Sequence, residues 1–98
     1  MARFSVYPNP KGGYLIDVQA DLLRLIDTRV VIPLIPLSQA PKPIKGLNPC
    51  FRIADVEHML FTQQLAAVPA KILRNEVTNL VGFRDGIVAA MDLLFQGF

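Results

Sequence analysis

The chain has 98 residues, 52% of them hydrophobic and 18% charged, which suits one domain spanning 1–98 that buries roughly two thirds of the surface its unfolded chain exposes. Residues 1–52 carry seven Lys/Arg against three Asp/Glu (+4) and residues 53–98 three against five (−2), for a formal +2. That asymmetry is too mild to mark a nucleic-acid binder. A single cysteine, Cys50, excludes an internal disulfide and points to a reducing, cytoplasmic setting. No apolar run approaches the ~20 residues of a membrane span, and the first residues alternate like a strand rather than a signal peptide.

In chain order, residues 3–7 (RFSVY) alternate with Phe4 and Val6 on one face, and the turn-rich 8–13 (PNPKGG) leads into 14–19 (YLIDVQ). This predicts two antiparallel strands and an exposed loop. Residues 20–27 (ADLLRLID) are too short for an independent helix, but Asp21 can open one turn that leaves Leu22, Leu23, Leu25 or Ile26 partly exposed. Residues 29–37 (RVVIPLIPL) are apolar at odd and even positions, as in a strand covered on both faces. Pro33 and Pro36 cannot donate to a ladder, which places them at an edge or a bulge.

Pro41, Pro43, Gly46 and Pro49, interspersed with Lys42 and Lys45, read as a mobile surface loop. Cys50–Ile53 and 56–61 form a hairpin turning at Ala54 and Asp55. A short strand at 65–68 follows, then one helical turn within 70–75. Leu80, Phe83, Ile87, Val88, Met91, Leu94 and Phe95 fall in steps of three and four and predict a helix over about 80–96, capped by Asn79 and stopped by Gly97. Several short strands before one terminal helix imply a small, partly open antiparallel barrel or sheet with the helix on one side.

The tip Phe95, Gln96, Gly97, Phe98 is unusual, because chain ends are ordinarily polar and frayed. Either it folds back into the core, the common fate of apolar residues, or it is a contact surface. Part of the apolar surplus is expected to face a second subunit.

Catalytic signals are sparse. The lone histidine, His58, has no nucleophile-elbow motif to serve, and the His, Cys and carboxylate positions lack metal-ligand spacing. Gly12 and Gly13 lack the strand-to-helix context of a phosphate loop. Arg24, Arg29 and Arg52 are the guanidinium groups available for an acidic partner or RNA phosphate. No cofactor is implied.

Several segments, taken in order, are similar to the CcdB toxins of bacterial toxin–antitoxin modules: 4–7 (FSVY), 17–23 (DVQADLL), Asp27 and Thr28 leading into 31–34 (VIPL), 67–72 (AVPAKI), and a helix ending Phe95-x-Gly97-aromatic. The resemblance implies a mainly β fold with one C-terminal α-helix, an SH3-like small antiparallel barrel of the CcdB/MazF type. It also implies a two-fold homodimer whose paired chain ends enter the gyrase A subunit and trap gyrase on cleaved DNA, without catalysis by the toxin. Carried over by position, the gyrase contacts are Asp92, Phe95, Gln96, Gly97 and Phe98, supported by Leu22 and Leu23. Gln96 stands where the family pattern has tryptophan, and Phe98 replaces a terminal aliphatic residue.

A CcdA-like antitoxin with an acidic, disordered C-terminal segment is the implied regulatory partner. Pro8, Lys11 and Tyr14 on the first loop and Lys42 and Lys45 on the Pro-rich stretch are its expected contacts, with DNA reached only through gyrase or an antitoxin complex and no membrane involved. The competing function is RNA cleavage, since the MazF/Kid endoribonucleases share the fold. Thr28, Arg29 and Arg52 are the only residues to assemble for it, and the Gly-rich Arg-Pro stretch of those nucleases is absent.

Overall fold

A computed structural model describes residues 2–97. Strands β1 (Ser5–Pro8) and β2 (Tyr14–Asp17) pair antiparallel, with Val6 opposite Ile16 and Tyr7 opposite Leu15. Their loop closes through two left-handed glycines, Gly12 (φ 104°) and Gly13 (φ 72°). A Cβ at Gly13 would collide with the Leu34 carbonyl, so a side chain is excluded there sterically as well as conformationally.

Strand β3 (Thr28–Pro36) is the spine of the molecule. It pairs with β2 on one edge. On the other edge it pairs first with β6 (Ala66–Pro69), at residues 28–31, and then with β5 (Val56–Leu60), at residues 34–36. β4 (Cys50–Ile53) extends the sheet beyond β5, and β7 (Thr78–Asn79) extends it beyond β1, giving the order β4-β5-β3-β2-β1-β7 in a nearly closed antiparallel barrel. The β4–β5 turn falls at Ala54 (φ 51°) and Asp55 (φ 64°), as expected, and both have the positive φ of a tight hairpin turn that follows strand twist. Helix α1 (Arg84–Gln96) closes one side.

Two expectations are corrected. Pro36 lies at a local edge, as expected, but Pro33 lies within the most paired strand, at neither a sheet edge nor a bulge. β3 changes partner between residues 31 and 34, so the missing N–H of Pro33 falls at that seam, where its carbonyl still accepts the Phe61 amide at 2.8 Å. Pro36 lies beyond the last β2 pairing, Tyr14 with Leu34, where no ladder bond is lost. The first strand, for its part, starts at Ser5 because Phe4 has a left-handed backbone (φ 70°). This kink lets Phe4 join Val6 in the core, its amide bonded to the Asp17 carbonyl at 2.6 Å and its ring under the Arg3 guanidinium at 4.8 Å.

The main core gathers Phe4, Val6, Ile16, Ile32, Leu34, Phe51, Leu60 and Leu80 beneath Ile87 and Ala90 of α1. The other sheet face carries a smaller cluster of Tyr7, Leu15, Val31 and Leu73. Beside it lies a buried ion pair, with Arg29 Nε donating to Asp17 Oδ2 at 2.7 Å. The Arg29 Nη1 and Nη2 atoms are buried and have no hydrogen-bond partner among the described residues.

An ion pair this enclosed makes each partner dependent on the other. Arg29→Ala is expected to lower unfolding free energy by about 3–5 kcal/mol in urea denaturation, and an Asp17→Leu/Arg29→Met double variant by clearly less. Burial pushes the Tyr7 phenol up; Glu76 and Asp17 add to this while a Ser5 hydrogen bond and Arg29 oppose it. The folded protein therefore keeps a proton that the unfolded chain loses near pH 10. This contribution is complete below about pH 10 and disappears as pH rises through the folded value. Tyr7→Phe should flatten the alkaline fall in stability measured over that range.

Candidate protein-binding site at the helix tip

Asn79 does not cap α1, whose N-cap is Phe83 with no side-chain cap; it turns the chain ahead of the helix instead. Its Oδ1 accepts the Val81 amide at 2.8 Å, and its Nδ2 donates to the Arg3 carbonyl and Ser5 Oγ. The chain then makes a 3-10 turn, Val81–Phe83, before α1 begins at Arg84. The apolar stripe is only partly buried. Ile87 and Ala90 are in the core, with Val88 and Met91 packed against it, and no helical residue after Met91 joins either cluster.

Phe83 is 57% and Phe95 66% exposed. Phe83 rests its ring on Phe51 at 5.3 Å. Phe95 lies on the last turn, outside the core. Phe95 therefore does not fold back into the core. Asp92, Phe95 and Gln96 stand at i, i+3 and i+4, so they share a helix face, and all three are exposed. Gly97 stops the helix as anticipated, with φ 80° and its amide bonded to the Leu93 carbonyl at 3.0 Å. Phe98 lies outside the described residues.

The second apolar surface is the 3-10 turn Asp21–Leu23 after β2. Arg3 donates its backbone amide to Asp21 Oδ1 at 2.7 Å, and Gln19 Nε2 donates to the Leu23 carbonyl at 3.0 Å. Held this way, Leu22 is 88% and Leu25 89% exposed, with Leu23 and Ile26 about half exposed. Leu25 is as prominent as Leu22, although the sequence resemblance singles out only Leu22 and Leu23. Its signal was already present in the run of four aliphatics too short to form a buried helix.

The five expected antitoxin contacts are distributed over three places. Pro8 and Tyr14 line a cleft with Val56, His58 and Val77. Lys11 lines a separate cavity on the other side of the loop. Lys42 and Lys45 lie on the Pro-rich stretch, an exposed surface segment, as its composition suggests, anchored at its far end by Asn48. Asn48 is buried there, accepting the Ile44 amide and donating to the Leu60 carbonyl and Gln63, and Gly46 comes up against Leu93 of α1.

The residues weighed for RNA cleavage are not brought together. Thr28 and Arg29 begin β3, whereas Arg52 is on β4, which reaches β3 only through β5 at residues 34–36. The nine residues of β3 put these ends on the order of 25–30 Å apart. Arg29 is consumed by Asp17, and exposed Arg52 faces Glu57 at 3.8 Å. His58 is a buried strand residue donating Nδ1–H to the Val56 carbonyl at 2.8 Å, its ring edge-on to Tyr14. Desolvation and the Glu57 carboxylate push the Cys50 thiol up, which lowers its thiolate fraction. No helix among the described residues is long and apolar enough to cross a membrane.

The fold is a small β-barrel closed by one C-terminal helix, with an aromatic residue exposed at the helix tip and an exposed aliphatic turn after β2. The family model for the CcdB protein matches residues 3–97, and the chain belongs to the CcdB family. That membership places it among the toxins of toxin–antitoxin systems.

Because Phe95 contributes no core contact, Phe95→Ser is expected to change unfolding free energy by less than about 0.5 kcal/mol. Ile87→Ala, about two turns back on the buried face, should lower it by about 2–5 kcal/mol. Parallel urea titrations of the two variants check this contrast.

Proposed function

We propose that the protein is a gyrase poison: its helix tip engages the gyrase A subunit and holds the enzyme on cleaved DNA, with no bond-making chemistry of its own. The observation that carries this reading is the exposure of Phe95 in line with Asp92 and Gln96, at the end of a helix anchored to the core through Ile87 and Ala90. Buried aromatic anchors dominate protein–protein affinity, and an aromatic kept in water by one subunit is available to another surface.

Two copies of the chain form the active unit, with their tips side by side and Leu22 and Leu23 flanking them. Phe98 completes the tip together with Gly97, whose left-handed turn redirects the chain after α1. An acidic antitoxin neutralises the toxin through Pro8, Lys11, Tyr14, Lys42 and Lys45, and DNA is reached only through gyrase or an antitoxin complex. The site of action is the cytoplasm.

Gln96 sets the strength of the poison. Replacing tryptophan by glutamine at a buried contact removes on the order of 100 Å² of apolar area, worth about 2.5 kcal/mol per site. Deleting Gly97 and Phe98 is expected to abolish stabilisation of the gyrase–DNA cleavage complex while the circular dichroism spectrum and dimer mass stay unchanged. Gln96→Trp should strengthen poisoning at least tenfold in the same assay. Full activity of the truncated chain, or RNA cleavage by the purified protein without gyrase, would refute the proposal.

A further inference from the structure

The segment between β2 and β3 leaves Leu22, Leu23, Leu25 and Ile26 at the surface, and a short exposed connection of this kind is ordinarily among the most mobile parts of a barrel. Here it is tied along its length. At its start, Asp17 Oδ1 accepts the Gln19 amide at 3.0 Å and Asp21 Oδ1 accepts the Arg3 amide at 2.7 Å. Within it, the amides of Leu23, Arg24 and Ile26 go to the carbonyls of Ala20, Asp21 and Leu23 at 3.0, 3.1 and 3.2 Å. At its end, the Asp27 carbonyl accepts the Ala70 amide at 2.7 Å.

Gln19 joins this segment to the sheet. It is buried, and its side-chain amide is divided between two tasks. Oε1 accepts the Val30 amide of β3 at 3.0 Å, and Nε2 donates to the Leu23 carbonyl at 3.0 Å. That carbonyl also accepts the Ile26 amide, so Gln19 grips the turn where its two halves meet. Leu22 precedes the gripped residue and Leu25 follows it, at 88% and 89% exposure. The most exposed aliphatic side chains of the molecule are thus carried on backbone that is hydrogen-bonded to its interior.

We propose that Gln19 is a positioning residue for gyrase binding: without touching gyrase, it holds the turn that carries Leu22, Leu23 and Leu25 in its bound posture, with Asp21 as the second tether. The inference rests on the gyrase reading given above and extends it to a residue behind the contact surface. An apolar contact ordered in advance relieves the complex of the entropy of ordering it. The two halves of the Gln19 amide make this role separable from stability. Gln19→Glu keeps an oxygen for the Val30 amide but sets an oxygen against the Leu23 carbonyl, so the sheet bond stays and the turn bond is lost. Asp21→Ala cuts the other tether at an exposed position, with no change to the interior.

Calorimetric titration of the full-length protein with the gyrase A subunit tests each variant in two backgrounds, the wild-type chain and one carrying Leu22→Ser, Leu23→Ser and Leu25→Ser. In the wild-type background both variants are expected to bind about tenfold more weakly. Amide hydrogen exchange should quicken at Arg24 and Ile26, while the Val30 amide stays protected in Gln19→Glu. In the serine background no turn side chain is left to position, and the same variants should change affinity by less than about twofold. A residue that only stabilised the barrel would weaken binding in both backgrounds alike. That outcome overturns the proposal and leaves the gyrase reading standing, as does full affinity in variants whose turn exchanges faster. A wild-type chain that does not bind gyrase A refutes the gyrase reading and this inference with it.

Discussion

The Asp17 carboxylate is the constraint through which much of the molecule is arranged. Oδ2 holds the Arg29 guanidinium and Oδ1 accepts the Gln19 amide at 3.0 Å, while the backbone carbonyl of the same residue receives the Phe4 amide. Gln19 passes the connection on, its Oε1 accepting the Val30 amide and its Nε2 reaching the Leu23 carbonyl. One buried residue thereby fixes the kink before β1, the end of β2, the start of β3 and the turn that exposes Leu22. A charge taken out of water is tolerable only when its lone pairs are occupied, and here the occupants are the Arg29 guanidinium and the Gln19 amide.

Most of the strand plan could be read from the residues, because it depends on local signals. Alternation marked β1 and β2, the dense turn residues marked their loop, and the apolar run marked β3. Those signals act over a few residues, and the physics that uses them is equally local. The placement of Pro33 was not local. A missing donor is harmless only at the seam between β6 and β5, and the seam exists because two distant segments pair with one strand. β7 went unseen for a related reason, since Thr78–Asn79 is a strand of two residues defined by its partner rather than by its own pattern.

The candidate site was legible in part. Helical spacing grouped Phe83 and Phe95 with Ile87, and periodicity says nothing about where the underlying sheet stops. The core takes helical side chains only as far as Met91, so the same stripe is interior at one end and surface at the other. The Pro-rich stretch is the surface segment its composition describes, and Asn48 ties its far end to Leu60 and Gln63 through side-chain bonds that no composition encodes.

The seam at Pro33 divides the sheet into parts that answer to different demands. Every β2–β3 and β3–β6 pairing lies at residues 28–34 of the spine, and the β4–β5 hairpin attaches only at residues 34–36. The hairpin therefore joins the spine next to a position that offers an acceptor but no donor. Phe51, Ile53 and Leu60 of that hairpin pack beneath α1, so the two parts of the sheet are joined by the core rather than by continuous backbone pairing.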